Sequence, residues 1–268
     1  MNLAVGVEHT EQGATKKAIA QAFSKAASRY DQYAAFQRDV GQRLLDTLPK
    51  QLVDWQVLDL GCGTGYFAQQ LRSRGATVVC ADLSSAMLYQ AKQRCGHYRM
   101  HYVQLDAEAL PFKAAHFDLV FSSLALQWCE DLVVPLQEIH RILKPQGQAR
   151  FSTLLFGSLT ELEQAWQKVD VHQHVKRFAD VNKINLALAQ SDFTRYHLDL
   201  PTITVWYESA YQLMRDLKGI GATHIHGRSQ GLTSRHTLAQ VEQAYQQFAG
   251  KQGLLPATYQ VCLGVLQR

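Results

Sequence analysis

From Val57 to Leu154 the chain repeats one unit: a short apolar run, a turn, then an amphipathic helical stretch. The runs are "QVLDLG", "TVVCAD", "HYVQLD", "FDLVFSS" and "ARFSTL", and the second ends at Asp82 and the third at Asp106. Between them lie "YFAQQLRSRG", closed by Gly75, "SSAMLYQAKQRCG" with Ser84 as N-cap, and "LVVPLQEIHRIL", which stops at "KPQG". Strands apolar on both faces and separated by helices pair in parallel, with helices covering both sides of the sheet through right-handed crossovers. The rhythm predicts an α/β, doubly wound sheet.

The flanks follow other patterns. Ile19, Ala22, Phe23, Ala26, Ala27 and Tyr30, then Val40, Leu44 and Leu48, keep a helical period that Pro49 closes. Ser158 with Glu161 gives a capping-box signal for a helix holding Leu162, Trp166 and Val169. Residues 170–200 fit no strand and are expected to form a partly helical insert over the sheet. "TITVWY" predicts a sixth strand, Ala210–Leu217 and residues 235–249 predict helices, and "TYQVCLGVL" a last strand.

Composition removes several classes. With 268 residues, 47% hydrophobic and 19% charged, the chain has the material for a full core. No apolar run approaches the ~18–20 residues that span a bilayer. The first residues lack a secretory pattern. Five scattered cysteines without C-x-x-C read as reduced thiols, so the expected location is cytoplasmic, with no membrane partner. A net charge of +4 without a basic block or an aromatic stripe argues against nucleic acid and against a non-catalytic nucleic-acid-binding module. His172 and His174 are two apart, off a common helix face, and no Cys or acid completes a set with His224 and His226; no metal is expected.

The loop after the first strand carries the chemistry. It reads Gly61-Cys62-Gly63-Thr64-Gly65-Tyr66, preceded by Asp59. A dinucleotide loop needs a small residue where Tyr66 stands, and a carboxylate at its mouth would repel pyrophosphate. The same carboxylate suits the ammonium of S-adenosylmethionine, which has no phosphate. Asp82 can accept from both ribose hydroxyls, and Asp106, followed by Ala107, from an adenine amino group. Each Asp alone reads as a turn former; three at successive strand ends, in phase with a glycine loop, do not.

"VLDLGCGTG", "ADLSSAML", "LDAEALPF", "FDLVFSSLALQW" and "LKPQG" together resemble the class I S-adenosylmethionine-dependent methyltransferases. The resemblance implies a Rossmann-like, mostly parallel seven-stranded sheet with the last strand antiparallel. It implies that Leu83 and Met87 flank adenosine and that Leu124 lies near the methionine end. One domain over 1–268 is expected, with N-terminal cap helices at 15–50 and a cofactor-binding core at 55–155. A helical lid at 156–200 and the rest of the sheet at 201–268 complete it.

Beyond those motifs, "KKAIAQAFSKAASRYDQYAAFQ", "LALQWCEDL", "FSTLLFGSLTELEQAW", "VDVHQHVKRF" and "LKGIGATHIHGR" resemble the malonyl-[acyl-carrier-protein] O-methyltransferases of biotin synthesis. That resemblance implies methylation of the free carboxylate of a malonyl thioester on acyl carrier protein, and Tyr30 and Gln37 over the methionine moiety, with Tyr30 also facing the acceptor. An ionised carboxylate needs no general base, only an aligning cation or donor. Arg177, Lys218, His224 and Arg228 are the cations of those segments, with Arg177 preferred for its planar fork. The alternative is a small lipophilic acceptor, such as a quinone precursor, on the same cofactor domain.

Overall fold

The computed structural model describes residues 4–222 and 234–268. Three helices come first: α1 (Ala4–Ala26), α2 (Tyr30–Tyr33) and α3 (Ala35–Asp46). The alternating region follows as β1 (Gln56–Leu60), α4 (Tyr66–Ser73), β2 (Thr77–Asp82), α5 (Ser85–Cys95), β3 (Met100–Gln104), β4 (Phe117–Ser123), α6 (Val133–Ile142) and β5 (Leu143–Leu154). The last part holds α7 (Thr160–Gln167), α8 (Val181–Ala189), β6 (Arg195–Asp199), β7 (Thr202–Tyr207), α9 (Ala210–Gly219), α10 (Arg235–Tyr245) and β8 (Leu255–Gln267).

The strand order is β3-β2-β1-β4-β5-β8-β6, with β7 also paired to β8. β1 to β5 pair in parallel, whereas β8 runs antiparallel to β5, β6 and β7. Winding reverses between β1 and β4, which leaves a crevice at the carboxyl ends of those two strands. Residue parity along β1 explains the two covered faces. Val57 packs with Leu44 and Leu45 of α3, Leu71 of α4 and Ala91 of α5. Leu58 and Leu60 point the other way, into a core with Leu136 and Ile139 of α6 and Ile184 and Leu188 of α8. A third core joins Phe36 and Val40 of α3 to α7, α9, α10 and the first half of β8.

Three expectations are corrected. The sheet has eight strands, not seven, because residues 170–200 contain β6 as well as α8. β6 and β7 lie end to end along one edge of β8, interrupted around Pro201, which has no N–H to give. Four of the five β6 residues are exposed, so the run lacks an apolar signal. The third strand stops at Gln104, and Asp106 sits beyond it in an isolated bridge with Ala109.

The capping box does not form. Leu159, at φ 59°, precedes α7 with no side-chain cap. Ser158 instead donates to the carbonyl of Leu155 (2.8 Å) and accepts from the backbone N–H of Gln260 (2.9 Å), while Glu161 accepts from the N–H of Thr258 (3.2 Å). The pair thus ties α7 to β8. Ser158→Ala should destabilise the fold by about 1–3 kcal/mol, the cost of leaving a buried N–H without its acceptor, read as a lower urea midpoint. An unchanged midpoint would show that the tie carries no stability.

Candidate functional site

The glycine loop bends over the end of β1 with Gly61, Gly63 and Gly65 at φ 75°, 52° and 79°. The N–H groups of Gly61 and Cys62 both donate to the carbonyl of Ala81, which fastens the loop to β2. A Cβ on Gly65 would meet Ala91 at 3.0 Å, so this glycine serves the packing of α4 on α5. A Cβ on Gly63 would meet nothing within 4 Å, because this residue faces the crevice. Here a ligand can approach the backbone closely.

Asp82 closes β2 beside that opening. One carboxylate oxygen accepts from the N–H of Gly63 (2.9 Å) and the other from the N–H of Ser84 (2.8 Å). Burial pushes its carboxyl group up to about 6, against the pull of these two donors. Asp59, on the neighbouring strand, is 3% exposed, and its Oδ2 has no hydrogen-bond partner among the described residues. Burial first, and the charge of Asp82 second, push its carboxyl group up to about 8.

Three cavities meet around these groups. The largest, about 810 Å³, is lined by Gly61, Gly63, Asp82, Leu83, Met87, Asp106, Ala107 and Leu124. A polar cavity of about 460 Å³ holds Asp59, Cys62, Thr64 and Gln37. An apolar one of about 680 Å³ lies beneath α7 and α9, with Phe36, Leu162, Phe178, Leu217 and Tyr259 in its wall. Tyr30 lines all three. Burial, with Asp82 and Asp31 nearby, pushes its phenol well above the ordinary range, so it stays protonated. Leu124, between the largest and the apolar cavity, is held at φ 51° by its N–H donating to the carbonyl and hydroxyl oxygens of Ser152. A left-handed leucine is an uncommon, strained conformation, and it stands where two cavities join.

The roof comes from α1. Lys16, Ile19 and Phe23 line the largest cavity. Lys16 pairs with Asp106 at 2.6 Å and also with Glu108, and Ser24 shares a hydrogen bond of 2.8 Å with Ser84. Phe23 meets the Trp128 ring edge-on.

The structure therefore brings together Tyr30, Gln37, Asp59, Gly61, Cys62, Gly63, Asp82, Leu83, Met87, Asp106, Ala107 and Leu124, and turns Gly65 to packing. Arg177 and Lys218 are exposed and line none of the three cavities. His224 and Arg228 lie outside the described residues. His174 sits in the wall of the apolar cavity, engaged by Asp170 at 2.9 Å and stacked on Trp166. Lys16, Trp128, Gln127 and Lys176 also line these cavities, and the sequence alone does not single them out. Trp128 and Lys176 stand inside the family-like segments, but which of two adjacent cations turns inward is a property of packing.

A doubly wound sheet, a glycine loop open to the crevice, acids near the ends of β1 and β2 and another just beyond β3 fit a methyltransferase, and the comparisons with known proteins place the chain in that class. The family model "Methyltransferase domain" matches residues 58–151. The chain is 45% identical to a malonyl-[acyl-carrier protein] O-methyltransferase of Serratia marcescens, over 94% of this chain and 96% of that one. It is 43% identical to the protein of that name from Salmonella typhimurium, over 94% and 98%. The chain belongs to the malonyl-[acyl-carrier protein] O-methyltransferase family. Among solved structures, the YcgJ protein of Bacillus subtilis shares the fold at a TM-score of 0.62 and 16% identity, covering 86% of this chain and 98% of that one. Phosphoethanolamine N-methyltransferase 2 of Haemonchus contortus, solved with S-adenosyl-L-methionine, does so at 0.60 and 18%, covering 91% and 57%.

Because the folded state holds a proton on Asp59 up to about pH 8, while an unfolded aspartate releases it near pH 3.8, this group lowers stability as pH rises between those values. Asp59→Asn should gain stability over wild type progressively from pH 5 to about pH 8 and hold that margin above it, as followed by urea unfolding of the cofactor-free protein. A margin independent of pH would place the ordinary pKa on Asp59.

Proposed function

We propose that the protein binds S-adenosylmethionine and methylates the free carboxylate of a malonyl thioester carried by acyl carrier protein, the step that masks this charge for biotin synthesis. The observation that carries the reading is the meeting of three cavities at Tyr30, with the partnerless oxygen of Asp59 on one side and an apolar cavity on the other. Asp59 would take the ammonium and Asp82 the ribose hydroxyls. Leu83 and Met87 would flank the adenine, with Asp106 and Ala107 at its edge. Tyr30, Gln37 and Cys62 would cover the methionine arm. When bound, the cofactor supplies an electrophilic methyl group on a sulfonium.

The protein's own work is alignment and the exclusion of water. Phe23, Leu124 and Trp128 belong to both the largest and the apolar cavity, and so surround the passage where acceptor and methyl meet. In the transfer, an oxygen lone pair of the carboxylate would form the new C–O bond as the C–S bond broke, with that bond's electron pair left on sulfur. No proton moves, so no side chain acts as base. The product ester lets the acyl group enter apolar sites that an unpaired carboxylate could not enter without a large cost. Biotin synthesis is also in the name of a relative from Cellvibrio japonicus, "Biotin biosynthesis bifunctional protein BioHC", 42% identical over 94% of this chain and 50% of that one.

Cofactor affinity should rise with pH up to about 8, since binding the ammonium requires Asp59 to release its proton. Calorimetry in two buffers of different ionisation heat should register that release below pH 8, and a pH-independent affinity would remove Asp59 from this role. Asp82→Ala should weaken cofactor binding by roughly 10- to 100-fold, from loss of charge-assisted hydrogen bonds. Methyl transfer to malonyl-carrier protein, with none to acetyl-carrier protein, tests the acceptor. Equal transfer to neither, alongside activity on a quinone precursor, would overturn the assignment.

A further inference from the structure

Besides His174, which Asp170 engages, the wall of the apolar cavity holds a second cationic group, a lysine. Lys176 lies in its wall between buried Val175 and half-buried Phe178, with Nζ 5.2 Å from the centroid of the Trp128 ring. It makes no hydrogen bond or ion pair to any described residue. Two carboxamides share the cavity, Gln37 and Gln127, and the Oε1 of each is buried without a partner. A carboxamide can turn to present its NH2 group in the place of that oxygen.

We propose that Lys176, with Gln37 and Gln127 in the wall of the same cavity, is the receptor for the acceptor carboxylate and the residue that makes the site choose an anionic thioester over a neutral one. The inference rests on the functional reading above and names the residue that enforces it. Trp128 lines both the largest and the apolar cavity, so an ammonium over its ring stands beside the passage through which a methyl group must travel. An aromatic face holds a cation without neutralising it, and a carboxylate is the stronger partner. Burial already holds this ammonium below the ordinary lysine range, with Cys129 and Glu130 pulling the other way, so an arriving anion relieves an existing cost. The shape of the cation matters too. An ammonium is a point charge on a flexible stem that can take one carboxylate oxygen and leave the other to attack, whereas a guanidinium fork binds both. Arg177, the next residue, is exposed and lines no part of the cavity.

The test compares wild type with Lys176→Met, Lys176→Arg and Arg177→Met, each verified by thermal unfolding. Calorimetry in the presence of S-adenosylhomocysteine measures binding of malonyl-carrier protein and of its methyl ester, which differ by one charge. Wild type should prefer the anionic form by roughly 10- to 100-fold. In Lys176→Met that ratio should fall to about threefold or less, with a single-turnover rate reduced to match and affinity for S-adenosylmethionine kept within about twofold. Lys176→Arg should restore the binding ratio but not the full rate, a split that a purely structural role would not produce. A wild-type ratio kept intact in Lys176→Met, or a loss confined to Arg177→Met, overturns the inference while leaving the functional reading in place. Failure of wild type to methylate malonyl-carrier protein removes the functional reading itself, and the inference with it.

Discussion

Two carboxyl groups on adjacent strands, Asp59 buried and Asp82 half-buried, set the terms for the carboxyl edge of the sheet. Asp59 of β1 lies opposite Cys80 of β2, which places Asp82 two residues further along the same edge. Taking carboxylates out of water is expensive unless donors compensate. The fold gives Asp82 two backbone N–H groups and leaves one oxygen of Asp59 with none. The donor from Gly63 exists only because the loop turns left-handed there, and that turn is open to a ligand because no side chain fills it. Glycines, acids and crevice are therefore one arrangement.

The rest of the site is assembled from outside the sheet. α1 roofs the largest cavity, while α3, α7 and α9 enclose the apolar one against β8. These pieces are distant in sequence, and they meet because the third core draws the cap helices onto the antiparallel end of the sheet. Tyr30, between α1 and α3, belongs to every cavity for that reason. The end of the site beside the glycine loop is thus built by strand ends, and the apolar end by cap helices.

What was legible in the sequence divides along the same line. The strand–helix rhythm, the glycine loop and the acids at strand ends are local patterns, and the structure places them as expected, apart from Asp106 standing two residues beyond its strand. β6 was hidden because four of its five residues are exposed, so the run shows no apolar alternation. The capping box of Ser158 and Glu161 misled because tertiary partners on β8 outcompeted the local hydrogen bonds. Arg177 is preferred in the sequence for its planar fork, whereas the structure places Lys176 in the wall of the apolar cavity and Arg177 outside it, a difference that depends on packing and not on side-chain chemistry. Lys16 was missed because its partners lie some ninety residues away.

That distant pairing has a consequence for how the roof is held. The helix over the largest cavity is tied by Lys16 to Asp106 and Glu108 and by Ser24 to Ser84, and Asp106 itself lines that cavity. Roof and cavity wall therefore share one set of contacts, so a substitution at Asp106 alters the seating of the N-terminal helix as well as the wall.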